Sequence, residues 1–291
     1  MFGMNDIVGK SFFKDAQHDT LLVTSRFFTL QGEGPFRGHP AYFIRLAKCN
    51  LACSFCDTYF DSGDWRNFSS LLAEADEVIH EFFKSRSIPT PVWAQGFAKK
   101  MVLVITGGEP SLQANLSAFL EAAQPYFQDI QIESNGISIL SDLPKSTCLV
   151  VSPKCLEKEG KVIRYLEPNK VMLERADYLK FVLSAPEDAR YAPYSELPSW
   201  AHEWAEKTKK HIFISPMNCY KKEPQRVKIA RDEGRQLTAA ERSEINEVVS
   251  FWEPELLDLN KNQRNHEYAA EYCMKYGYVL NLQIHLFASL P

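Results

Sequence analysis

Met101-Val-Leu-Val-Ile-Thr106 is an apolar run that leads without a break into Gly107-Gly108-Glu109-Pro110. A short run of β-branched and aliphatic residues closed by a glycine pair reads as a buried strand ending in a turn. Working outward from it, the same arrangement recurs. Ile130–Glu133 leads into Ser134-Asn135-Gly136, Cys148–Ser152 into Pro153-Lys154, and His211–Ser215 into Pro216-Met217-Asn218. Ala41–Leu46, Tyr178–Leu183 and Tyr278–Leu282 are further candidate strands. Helical periodicity falls between them, over Leu71–Phe83, Leu112–Ala123, Ser195–Lys207, Ala239–Trp252 and Glu267–Tyr276. Strands alternating with helices predict an α/β fold with a mainly parallel sheet. In such folds ligands bind outside the carboxyl ends of the strands. Polar segments at several strand ends therefore predict one site built from many strands, although each segment alone is also an ordinary turn. Periodicity does not say whether the sheet closes.

The chain has 291 residues, 45% apolar and 24% charged, ordinary for a globular protein with a full core. Its 33 basic and 37 acidic residues give a net charge of −4, which argues against a protein built to coat nucleic acid. No apolar run approaches the ~18 residues of a membrane helix. The opening MFGMNDIVGKSFFKDAQHD has no basic start followed by an apolar stretch, so no signal peptide is expected and a cytoplasmic location is. There is no repeat of fixed period. Two stretches read as surface excursions: residues 84–100, with Pro89, Pro91 and Gly96, and residues 220–236, with five Lys or Arg among the first twelve. The latter charge run is expected to be a solvated face.

The seven cysteines include three in Cys49-Asn-Leu-Ala-Cys53-Ser-Phe-Cys56. In a reducing compartment such crowding points to a metal or cluster before disulfides. The spacing of three residues, then two, puts three thiolates on one tight loop. A structural zinc site and a Cys₄ cluster both want four ligands, and no nearby cysteine or histidine completes the set. Cys148 and Cys155 lie nearly a hundred residues on, and His39 sits in a Gly38-His39-Pro40 turn. Three ligands with an open position describe an iron able to bind something else. The alternative is a zinc loop with a distant fourth ligand. Cys148, Cys155, Cys219 and Cys273 read as small buried hydrophobes.

In its cysteine spacing and in Phe55 before the third cysteine, the loop resembles the radical S-adenosylmethionine superfamily, as Gly107-Gly108-Glu109-Pro110 resembles that superfamily's GGEP motif. The resemblance implies an incomplete (β/α) TIM-like barrel. It implies a [4Fe–4S] cluster on Cys49, Cys53 and Cys56, whose open iron is chelated by S-adenosylmethionine. Thr29-Leu30-Gln31-Gly32-Glu33-Gly34-Pro35, Gly38-His39-Pro40-Ala41, Phe43-Ile44-Arg45-Leu46 and Cys56-Asp57-Thr58 narrow the choice. With Glu133-Ser134-Asn135-Gly136, Ser152-Pro153-Lys154, Lys180-Phe181-Val182 and Leu282-Gln283-Ile284-His285, they resemble the 7-carboxy-7-deazaguanine synthase family. The match runs from about Phe27 to the end. It implies residues 1–26 as an N-terminal extension and 27–291 as the radical domain, with the two excursions as insertions.

The implied reaction is ring contraction of 6-carboxy-tetrahydropterin to 7-carboxy-7-deazaguanine with loss of ammonia, toward queuosine and other 7-deazapurines. Leu30, Gln31, Gly32, Glu33, Arg45 and Thr106 map to the substrate. Arg45 brings a planar fork suited to a carboxylate and sits between Ile44 and Leu46, where a charge wants a partner. Thr58 maps to a magnesium ligand. Gly108, Glu109, Ser152, Pro153, Lys154, Ser215, Pro216, Met217 and Asn218 map to the cofactor, with Ser215 standing where the family often has glutamine. Pro291 maps to a C-terminal proline whose carboxylate reaches the substrate, or else ends a frayed tail. An electron donor such as flavodoxin or ferredoxin and a homodimer are further implications, with no nucleic-acid or membrane partner. The rivals are a glycyl-radical activase of the same superfamily and a zinc-stabilised binding protein.

Overall fold

A computed structural model describes residues 7–140, 142–221, 225–245, 250–252 and 256–291. Parts of three expected features lie outside them: residues 1–6 of the extension, 222–224 of the second excursion, and 246–249 of the expected helix Ala239–Trp252. The strands are β1 (Thr20–Leu30), β2 (Pro40–Leu46), β3 (Asp64–Asn67), β4 (Lys99–Gly107), β5 (Phe127–Ser134), β6 (Thr147–Val151), β7 (Cys155–Lys158), β8 (Lys161–Tyr165), β9 (Tyr178–Leu183), β10 (Ile212–Pro216) and β11 (Val279–Leu280). The helices are α1 (Phe68–Lys84), α2 (Leu116–Ala123), α3 (Lys170–Arg175), α4 (Ser199–Thr208), α5 (Gln225–Asp232), α6 (Ala239–Ile245), α7 (Leu259–Tyr276) and α8 (Ile284–Ala288).

Nine strands form one sheet in the order β11-β10-β9-β6-β5-β4-β2-β1-β3, and β7 and β8 form a separate hairpin. From β2 through β11 the neighbours run parallel, while β1 lies antiparallel to both β2 and β3. The sheet curls without closing by strand pairing. This is the α/β architecture expected of an incomplete barrel.

Local chemistry explains the elements. Met101 through Ile105 are all buried, as an apolar run in a parallel sheet covered on both faces must be. α1 buries Phe68, Leu71, Leu72, Ala75 and Ile79, one apolar stripe at helical spacing. Its first turn is capped by the Asn67 side chain, which accepts from the Ser70 N–H at 2.8 Å. α7 starts at an Asp258 cap and stops at Gly277, which takes the left-handed conformation at φ 73°.

Several expectations need correction. The boundary expected after residue 26 falls inside β1, whose buried faces on both sides leave no alternation to read. In residues 84–100 the tail of the excursion belongs to the sheet: Lys99 opens β4 and is fully buried, with its ammonium 3.2 Å from Asp76. Residues 220–236 contain α5, and Ser250-Phe251-Trp252 are not helical. The strand expected over Tyr278–Leu282 shrinks to β11.

Candidate active site

The cysteine loop follows β2, and the Gly107-Gly108-Glu109 turn follows its parallel neighbour β4, so both stand at the carboxyl ends of the strands. Gly107 has φ +110°, and the Gly108 and Glu109 amides bond the Leu46 and Lys48 carbonyls, each at 2.8 Å. A side chain on Gly108 would collide with the Lys48 carbonyl, so only glycine brings this turn against the cysteine loop. Glu109 is buried and accepts from Ser111 N (2.9 Å), Ser134 Oγ (2.7 Å) and Asn135 N (2.7 Å). These donors fix the carboxylate and leave room for one more.

The loop is braced from two sides. The Asn135 side chain donates to Asn50 Oδ1 at 2.7 Å, and the Ser54 amide donates to Glu157 at 3.1 Å. The Phe55 ring meets Tyr194 edge-on with centroids 5.1 Å apart. Burial pushes the Cys49 thiol up to about 12 and Cys56 to about 11. Such thiols stay protonated until a metal takes the proton's place. All three cysteines line one cavity. Among the described residues no three His, Cys, Asp or Glu side chains converge as one ion would demand. Three thiols from one loop around a shared space are the residues that would hold a polynuclear cluster.

The cavity runs inward along the curled sheet. Leu30 pairs with Pro40, the first residue of β2, so the segment after β1 enters from the end opposite the cysteine loop. There Lys180 on β9 lies between two carboxylates, bonding Glu33 and, at 2.6 Å, Glu133 on β5. Gln31 donates to Glu133 at 3.4 Å and accepts from the Glu33 amide at 3.1 Å. The two carboxylates hold the Lys180 ammonium above its ordinary value despite its burial. One cation cannot neutralise both, and burial raises the Glu33 carboxyl. Arg45 donates to Thr58 Oγ1 at 2.8 Å and lies 5.1 Å over the Phe27 ring. Its Nε is buried without a partner, and among the described residues it has no ion pair.

Leu30, Gln31, Gly32, Glu33, Arg45, Thr58, Thr106, Gly108, Glu109, Ser152, Lys154, Ser215, Pro216, Asn218 and Pro291 line the same cavity as the cysteines. Pro153 and Met217 do not. Each sits between two lining residues and is itself buried. The Met217 amide instead bonds the Leu183 carbonyl at 2.8 Å. Ser215 bonds Asn281 at 2.7 Å and Glu33 at 3.3 Å, which places it at the carboxylate end. Asp57, expected beside Thr58 to act on magnesium through water, lines the cavity too, and sequence reasoning gave no role to Glu133, Lys180, Gln283 or His285, which also line it. A signal existed for Lys180: like Arg45, it is a charge inside an apolar strand.

No family model matches the chain. A crystal structure of QueE from Escherichia coli superposes over 94% of this chain and 97% of its own with a TM-score of 0.50 and 21% identity, which shows the fold. With the sequence relatives that follow, the three-cysteine loop on that fold defines a radical S-adenosylmethionine enzyme. The chain is 34% identical over 190 residues to 7-carboxy-7-deazaguanine synthase of Rhodospirillum rubrum, covering 64% of this chain and 67% of that protein, and 35% identical over 185 residues to the Rickettsia prowazekii synthase, covering 63% and 69%. It belongs to the 7-carboxy-7-deazaguanine synthase family.

Proposed function

We propose that this chain converts 6-carboxy-tetrahydropterin to 7-carboxy-7-deazaguanine with loss of ammonia, in the synthesis of queuosine and other 7-deazapurines. The observation that carries the reading is the Glu33–Lys180–Glu133 cluster in one cavity with the three cysteines and Arg45. When bound, the [4Fe–4S] cluster and S-adenosylmethionine supply a 5′-deoxyadenosyl radical that takes hydrogen from the substrate. Cys49, Cys53 and Cys56 are the residues that hold the cluster, and Glu109 with the Gly108 backbone receives the methionine amine. A pterin presents a flat edge of N–H donors, which suits a pair of carboxylates with only one lysine between them. Arg45 is placed for the substrate carboxylate by its unpaired Nε and fixed fork. Gln31 and the backbone of Leu30 and Gly32 complete the wall at the pterin edge, and Thr106 stands beside Arg45 on the neighbouring strand.

Magnesium belongs to the same reading. Thr58 Oγ1 accepts from Arg45 and donates to Asp57 at 3.1 Å, which leaves one lone pair for a cation. Magnesium would take that remaining lone pair, so metal and guanidinium would share one oxygen and both would face the substrate carboxylate. Magnesium keeps most of its water and takes few protein ligands, in keeping with one threonine and a substrate oxygen. An electron donor such as flavodoxin or ferredoxin and a homodimer rest on the resemblance. No helix among the described residues is long and apolar enough to cross a membrane. The reducing conditions that free thiols require suit the cytoplasm.

The test is an anaerobic reaction of cluster-loaded protein with S-adenosylmethionine, reductant and 6-carboxy-tetrahydropterin, read by mass spectrometry. The expected product has lost ammonia and is absent with Cys53→Ala. Cofactor cleavage to 5′-deoxyadenosine without any deazapurine would move the chain to another radical chemistry, such as activation of a glycyl-radical enzyme.

A further inference from the structure

His285, on the five-residue helix α8, and Pro291, in the segment just after it, line the cavity. A helix this short does not hold itself together in water. The last carbonyls of any helix also lack partners within it. Here Ser289 and Leu290 donate back to the His285 carbonyl, the latter at 3.1 Å. The next two carbonyls are met from elsewhere in the chain: the Phe251 amide donates to Leu286 O at 3.1 Å, and Trp252 Nε1 donates to Phe287 O at 2.6 Å. Ser250 Oγ joins Ser289 Oγ at 2.8 Å and also accepts from the Trp252 amide at 3.1 Å. The Phe251 ring packs on Phe287 with centroids 4.7 Å apart and edge-on against His266 of α7 at 5.5 Å. The Trp252 side chain is mostly exposed, so burial is not what holds it there.

We propose that Phe251 and Trp252 are positioning residues for the substrate: they cap α8 from outside and so hold His285 and Pro291 at the pterin end of the cavity. The inference rests on the pterin reading of that end. Its geometry is independent of that reading. Gly32 packs so closely against the His285 ring that a Cβ there would strike it, so a small movement of α8 changes the site. Burial also lowers His285 to about 4. The charged groups facing it are Asp57, Arg45 and Lys180.

The test compares wild type, Trp252→Phe, which removes the indole N–H but keeps an aromatic ring, and Trp252→Ala, all cluster-loaded and anaerobic. Hydrogen exchange of the α8 amides reads the cap without substrate. One lost hydrogen bond is expected to speed it about threefold to tenfold in Trp252→Phe. The dissociation constant for 6-carboxy-tetrahydropterin is expected to rise about as much, with S-adenosylmethionine affinity and iron content unchanged. Trp252→Ala is expected to be worse on both and to make pterin binding pH-dependent near 6, as a loosened His285 regains its ordinary value. A merely structural tryptophan would not produce that new ionisation. Unchanged exchange in both variants overturns the proposal, whatever the pterin does. Faster exchange with equal loss of both ligands overturns the substrate-specific role. Faster exchange with no pterin binding by wild type supports the cap and overturns the substrate reading instead.

Discussion

Lys180 shows how much one residue can carry. Its ammonium is nearly buried between Glu33 and Glu133, themselves only 14% exposed at the side chain. Removing it leaves two close carboxylates without their cation. Lys180→Met should therefore cost about 3–5 kcal/mol of stability at neutral pH. The cost should shrink at pH 5, where a carboxyl can take a proton. Urea unfolding at both pH values checks this, and a variant as stable as wild type at pH 7 would refute it. Glu33 tells the opposite story. Its folded-state value lies above 4.5, so its contribution to stability is full below 4.5 and is lost as pH rises through the folded value. Glu33→Gln should remove that loss, gaining stability relative to wild type from pH 4.5 toward pH 7 while weakening pterin binding. A charge between Leu179 and Phe181 is legible in sequence as a group in need of partners. The partners are not, because Glu133 and Glu33 lie 47 and 147 positions away.

At the scale of elements, the turn after β4 is the most constrained piece. Gly108→Ala must displace the Lys48 carbonyl, which is backbone and also bonds the Glu109 amide. Crowding of this kind costs about 1–3 kcal/mol. It should also abolish S-adenosylmethionine binding, because the displaced turn carries Glu109, while the cysteines keep their cluster. Calorimetry with the cofactor and iron analysis decide this, and normal cofactor affinity would contradict it. Strands β2, β4, β5, β6, β9 and β10 were legible because each is a short apolar run. β1 was not, since Thr24, Ser25 and Arg26 interrupt its apolar residues and its neighbours are supplied by β2 and β3. The β7–β8 hairpin escaped notice for a different reason. It faces solvent over much of its length, and turns at Glu159-Gly160, so hydrophobic pattern says little. Contiguous motif triplets overstate the site, since in Ser152-Pro153-Lys154 the outer two residues line the cavity and the buried middle one does not.

For the molecule as a whole, acid should act on buried histidines. His285, lowered by burial from 6.5 to about 4, favours folding when neutral. That stability is present above pH 6.5 and lost as pH falls through about 4, and His266 is lowered in the same sense. The urea midpoint of cluster-loaded protein should fall across this window, and His285→Gln should flatten part of the fall. An unchanged slope in the variant would locate the acid sensitivity elsewhere. The segment at β11 meets the loop between β1 and β2 through hydrogen bonds. Asn281, just past β11, accepts from the Gly34 amide at 2.8 Å and donates to Ser215 at 2.7 Å, and Arg37 bonds the Leu280 carbonyl at 2.5 Å. Gly34 and Asn281 are 247 positions apart. A ribosome delivers the cysteine loop long before it delivers Asn281. Until then the three thiols stand in a half-built trough open to water and oxygen, and the nascent protein must be sheltered or swiftly completed before it can keep its iron.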